Sequence, residues 1–121
     1  MRETPEDLFA RHFHGKPGSV PVFQKNGRHV CVSPFGSMDL ENSHGLRDFL
    51  VDLIEHCNSS IDLEVDLSNV QYISSTGVGA LVDALVTAKR NTMQLKVHGF
   101  QPKVRDVFKL LGLISFFEEQ G

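Results

Sequence analysis

Ile61-Asp62-Leu63-Glu64-Val65-Asp66-Leu67 alternates strictly between apolar and acidic side chains. A period of two is that of a β-strand whose faces meet different surroundings. A strand covered on both sides would not set three carboxylates on one of them, so one face of its sheet is expected to be wet or lightly covered. Downstream, Val78, Leu81, Val82, Leu85 and Val86 recur at helical intervals and mark an apolar helix face. Lys89 and Arg90 suit the negative end of that helix, and Asn91 is expected to take the left-handed conformation that stops it. Residues 93–98 alternate again through Met93, Leu95 and Val97. Strand, helix and strand over residues 61–98 have the length of a right-handed parallel crossover, which makes this an α/β chain.

The flanks extend the pattern in both directions. Residues 20–25 and 28–33 read as a hairpin around Asn26-Gly27, a dipeptide suited to a type I′ turn, with Pro34 and Gly36 closing its second strand. Leu46, Phe49, Leu50, Leu53, Ile54 and Cys57 form a second amphipathic helix. Pro102 opens a third, carrying Val104, Val107, Phe108 and Leu111, and Gly112 is placed to end it. Residues 113–117 read as a last short strand. Ahead of all this, Thr4 as N-cap, Pro5 at N1 and Asp7 three residues after the cap start a short helix, with Leu8, Phe9, His12 and Phe13 on one face. Residues 15–19 break it as a linker that lacks the pattern of a phosphate loop. The expected organisation is an N-terminal extension over residues 1–19 and one domain over 20–121. That domain is an α/β sandwich: a mixed sheet of four to five strands with helices mainly on one face.

Composition narrows the class. The chain has 121 residues, 40% hydrophobic and 22% charged, which suits one globular domain. No apolar run approaches the roughly 20 residues that span a bilayer, and the acidic start Glu3-Thr4-Pro5-Glu6-Asp7 has no apolar signal core. A formal charge of −3, with basic residues no denser than Lys103, Arg105 and Lys109, argues against direct nucleic-acid binding. Cys31 and Cys57 fit no metal or redox spacing, fall inside expected elements and read as two buried thiols in a reducing cytosol. His12 and His14 read as surface side chains, and Asp62, Glu64 and Asp66 as a solvated strand face. No metal and no cofactor is expected.

The least ordinary local sequence is Tyr72-Ile73-Ser74-Ser75-Thr76-Gly77-Val78-Gly79, where three hydroxyls and two glycines meet at a helix start. Composition alone allows a structural reading, with one serine as N-cap and the glycines serving packing. A serine hydrolase elbow needs a glycine two residues ahead of the nucleophile, and Ile73 stands there instead, so an enzyme is not expected.

The stretch from Asp66-Leu67 through Ser74-Ser75-Thr76-Gly77-Val78-Gly79 resembles the signature of STAS domains in bacterial anti-sigma factor antagonists. There a strand ending in Asp-Leu leads to Asp-Ser-Ser/Thr-Gly-Leu-Gly at a helix start. Gly36-Ser37-Met38-Asp39 is similar to that family's Gly-Glu-Leu/Ile-Asp strand end. Residues 104–113 resemble its last helix and the turn after it, and the likeness covers about residues 20–118. The resemblance implies partner switching in the cytoplasm. An unphosphorylated antagonist binds an anti-sigma factor that is also a serine kinase, phosphorylation dissociates the pair, and a phosphatase resets it. Carried over by position, the phosphorylated residue is Ser75, and the partner-binding set is Asp39, Ser74, Ser75, Thr76, Gly77 and Val78. Two positions depart from the pattern, Ser74 for the family's Asp and Ser37 for its Glu, and each removes a negative charge from the rim. Ser74 and Thr76 therefore stay in view as acceptors. A soluble STAS subunit of a membrane transport assembly and a non-cycling signalling scaffold stand as alternatives. Homo-oligomerisation is left open.

Overall fold

The computed structural model describes residues 3–15 and 20–118. Most of the expected linker, residues 16–19, lies outside the described residues, as do Met1 and Arg2. The chain runs α1 (Pro5–Phe13), β1 (Val22–Asn26), β2 (His29–Ser33), β3 (Phe35–Met38), α2 (Leu40–Cys57), β4 (Asp62–Asp66), β5 (Asn69–Ile73), α3 (Ser75–Arg90), β6 (Leu95–His98), α4 (Pro102–Leu110) and α5 (Ile114–Glu118). A short 3-10 turn at Asn58–Ser60 leads from α2 to β4.

The main sheet is four-stranded and mixed, in the order β1-β2-β4-β6. β1 and β2 are antiparallel, whereas β2–β4 and β4–β6 are parallel. Val30 pairs with Leu63 and Leu63 with Leu95; Val32 pairs with Val65 and Val65 with Val97. These six are buried and share one core with the inner faces of α2 and α3. The alternate positions Cys31, Glu64, Asp66, Lys96 and His98 turn to the other, more open face. The wet face expected from the acidic alternation is there, but its carboxylates are paired within the domain. Glu64 sits between His29, at 2.9 Å, and His98. Arg28 Nε donates to Asp62 over 3.0 Å, and Asp66 accepts from the backbone N–H of Ser68.

Several local expectations change. Asn26 pairs with His29, so the hairpin loop is Gly27-Arg28, one residue later than expected. Gly27 at φ +62° followed by a residue without positive φ has the form of a type II′ turn, with glycine at the first central position. The chain does not stop at Pro34 but continues as β3, which pairs in parallel with β5 as a separate two-stranded sheet. Residues 113–117 do not form a strand. Phe117 packs edge-on against Phe108 and Phe100, and Lys89 lies over the Phe116 ring, so the segment folds as α5. Asn91 is not left-handed; Thr92 is, at φ 50°. Leu111 follows α4 as its C-cap and is exposed rather than core.

α1 caps as expected: Asp7 N–H donates to Thr4 Oγ1 and Thr4 N–H to Asp7 Oδ2, each at 3.1 Å. Its Leu8 is wholly buried in the common core. Phe9 stacks on Phe23 and meets Phe49 edge-on, and Phe13 meets Phe49 likewise. His12 is not a free surface side chain, because it bonds Asp52 of α2 at 2.6 Å.

Candidate functional site

β3 and β5 leave the core side by side, and each feeds a helix. Asp39 caps α2, accepting from the Glu41 N–H at 3.1 Å, while Asn42 accepts from the Asp39 N–H at 2.9 Å. Asn42 also donates to the Ser37 carbonyl at 2.6 Å, which holds the end of β3 to the first turn of α2. Ser74 caps α3, its hydroxyl accepting from the Gly77 N–H at 3.3 Å. The Ser74 N–H donates to the Met38 carbonyl at 2.9 Å, and its hydroxyl donates to the same oxygen at 3.3 Å. Ser74 is thus the joint between the two helix starts.

Gly77 explains why the joint closes. A Cβ there would stand 2.7 Å from both the Met38 carbonyl and Ile73 Cγ1, so only glycine lets α3 come this near. Ser75 is the first residue of α3 and is exposed. It lies ahead of the first bond of the helical ladder, Val78 N–H to Ser74 C=O at 3.0 Å. N–H groups at such a start carry the positive end of the helix dipole.

Of the six residues assigned to partner contact, Asp39, Ser74, Ser75 and Thr76 lie along this rim. Gly77 and Val78 do not. Gly77 is buried against Met38, and Val78 is 2% exposed and belongs to the core, so both hold the turn from beneath. Asp39 and Ser74 have their side chains occupied in caps. Sequence reasoning passed over the apolar residues beside the rim: Leu40, first in α2 and 66% exposed, and Tyr72 of β5, 56% exposed. Phe35 is also exposed on β3. An apolar residue directly after an N-cap, as Leu40 follows Asp39, was the available signal. Among the described residues no group of three His, Cys, Asp or Glu side chains is arranged to hold a metal ion. Cys57 is buried as expected, but Cys31 is only partly so, because it lies on the more open face of β2.

The family model described as "Mlab, STAS domain" matches residues 22–116, which includes both strands of the joint and both helix starts. The chain belongs to the STAS-domain family. Among its relatives, the anti-sigma-B factor antagonist of Listeria monocytogenes is 23% identical over 100 residues, covering 83% of this chain and 86% of that protein. The anti-sigma-B factor antagonist of Bacillus subtilis is 29% identical over 90 residues, covering 74% and 80%. The anti-sigma factor antagonist SpoIIAA in its unphosphorylated form superposes with a TM-score of 0.66 at 18% identity, over 78% of this chain and 83% of that one. The phosphorylated form of SpoIIAA gives 0.63 at 15% identity, over 80% and 86%. The STAS fold of this chain is shared with these antagonists.

In this STAS domain the joint carries an exposed hydroxyl, that of Ser75, at the start of α3.

Proposed function

We propose that this chain is an anti-sigma factor antagonist of the cytoplasm. It binds an anti-sigma factor that is also a serine kinase, and phosphorylation at Ser75 releases it. The observation that carries the reading is the exposed Ser75 at the first position of α3, on the rim where Ser74 ties α3 to the end of β3. Ser75 Oγ attacks the terminal phosphorus of ATP, ADP leaves, and the hydroxyl proton passes to a base of the kinase. The phosphate then lies at a helix N-terminus, where N–H groups and dipole favour an anion, so the domain keeps its fold. A partner packed against the same rim meets about two added negative charges with nothing to pair them, and the complex is lost. Ser74 is the poorer acceptor, because its hydroxyl already bonds Met38 and Gly77. A phosphatase completes the cycle.

The test is incubation with purified anti-sigma factor kinases of the host and ATP, followed by site mapping by mass spectrometry. One phosphate on Ser75 is expected. Modification confined to Ser74 or Thr76 would move the switch, and no modification by any such kinase would contradict it. The neutral Ser74 and Ser37 at the family's acidic positions favour a second reading in that event, as a non-cycling scaffold or a soluble subunit of a transport assembly.

A further inference from the structure

We infer that the outer edge of β1 is a docking surface for a second copy of this chain, paired antiparallel about a two-fold axis at Gln24. The inference stands apart from the antagonist reading and concerns a different part of the molecule.

The two ends of the main sheet are finished differently. β6 closes one end with α5 packed beside it, and its Leu95 and Val97 are buried. β1 forms the other end. Val22, Gln24, Lys25 and Asn26 are all exposed, and among the described residues no strand pairs with the outer side of β1. Asn26 and His29 close a two-residue loop, which makes them a hydrogen-bonded pair. Bonding alternates along an antiparallel strand, so Gln24 and Val22 also face β2. Phe23 and Lys25 therefore turn their N–H and C=O groups outward.

Sheet edges are commonly guarded by proline, a bulge or charges. β1 is poorly guarded. Its pairing with β2 runs from Val22 to Asn26 without a shift, and Pro21 stands before the strand rather than in it. Lys25 is the one charge on it, and Glu6 of α1 lies 3.9 Å away to balance that charge. A row of outward N–H and C=O groups is matched by another strand.

The side chains of the edge select the register in which a second copy fits. Centred on Lys25, a two-fold pairing would set like charges directly opposite. Centred on Phe23, it would set Lys25 against the partner's Pro21, which has no N–H to give. Centred on Gln24, Phe23 meets Lys25 of the partner subunit, and Lys25 meets the partner's Phe23. Each of these pairs exchanges both of its bonds, and no like charges meet. The two main sheets become one, through a patch that is self-complementary as a two-fold dimer requires. β1 pairs with β2, whereas the rim is built from β3, β5, α2 and α3, so each copy keeps its Ser75 open.

Sedimentation equilibrium of the full chain is the test. A reversible dimer with a Kd of about 100 µM is expected, since one strand edge is a small interface. Lys25→Pro removes an outward N–H that β2 does not use. It should abolish the dimer while the circular dichroism spectrum is retained. Gln24→Asp and Gln24→Lys each set like charges opposite on the axis and should weaken self-association by about fivefold. Mixed together, these two variants should regain a dimer at least as tight as that of the wild type. A wild-type chain that stays monomeric at about 1 mM overturns the inference. So does a dimer that Lys25→Pro and both Gln24 variants leave unchanged, because it forms through another surface. Either result leaves the antagonist reading standing.

Discussion

Ser74 and Ser75 are adjacent hydroxyls with different tasks. Ser74 accepts from Gly77 and donates to Met38, so it is the cap, whereas Ser75 is exposed. Ser74→Ala should therefore cost about 1 kcal/mol in urea unfolding, and Ser75→Ala should stay within about 0.5 kcal/mol of wild type. The reverse order would give Ser75 the structural role. Gly77→Ala should be among the costlier single changes, about 1–3 kcal/mol, because the clash is with backbone as well as side chain. At the far end of α3, Thr92 N–H bonds Lys89 C=O and Met93 N–H bonds Ala88 C=O, the pair of bonds that closes a helix with a left-handed residue. A β-branched side chain is strained in that conformation, so Thr92→Gly should raise stability by about 1 kcal/mol. The position of that residue was misread by one, because asparagine is the common non-glycine choice and Asn91 stands next to it.

Among the elements, α1 shows how a segment ahead of the matched family region joins the core. Leu8, Phe9 and Phe13 close over Phe49 and Phe23, and Arg11 and His12 both hold Asp52. Deleting residues 1–15 should lower Tm and increase binding of an apolar dye, and unchanged values would make α1 a passive appendage. Acid should loosen the same contact. Burial raises the Asp52 carboxyl, but the bonds and charge of His12 and Arg11 outweigh it and hold it below its ordinary 3.8. A lowered carboxyl stabilises the fold above its unfolded pKa, and that contribution is lost as pH falls through the folded value. Stability should fall below about pH 4 more steeply in wild type than in Asp52→Asn, which lacks the paired carboxylate at every pH. The long helices and β4 were legible because many residues repeat one period. β3 and β5 were not legible from periodicity: with 4 and 5 residues, and with Pro34 before β3 and Gly36 inside it, they exist through pairing with each other, and only the family resemblance marked the end of β3. α5 was missed because Leu113, Ile114, Phe116 and Phe117 suit a strand locally, and packing of Phe117 on Phe108 decides otherwise.

Across the whole molecule, one connection recurs: a strand of the main sheet, a short strand of the β3–β5 pair, then a helix. β2, β3 and α2 follow it, and so do β4, β5 and α3. The repetition sets two helix starts beside each other, and Asp39 and Ser75 arrive on one rim although they are far apart in sequence. The motif register singles out Ser75 as the candidate acceptor, but depth was not readable from it: Gly77 and Val78 face inward, while Leu40 and Tyr72 face out. A rim of this kind can be switched by charge without refolding, which is the central claim. It is tested most directly by calorimetric titration of the unmodified and Ser75-phosphorylated chains against the anti-sigma factor kinase, with circular dichroism on both. The expected result is affinity lower by about a hundredfold, close to 2.7 kcal/mol, with the spectrum and Tm of the modified chain retained. Equal affinities for the two forms, or a modified chain that unfolds, would contradict it.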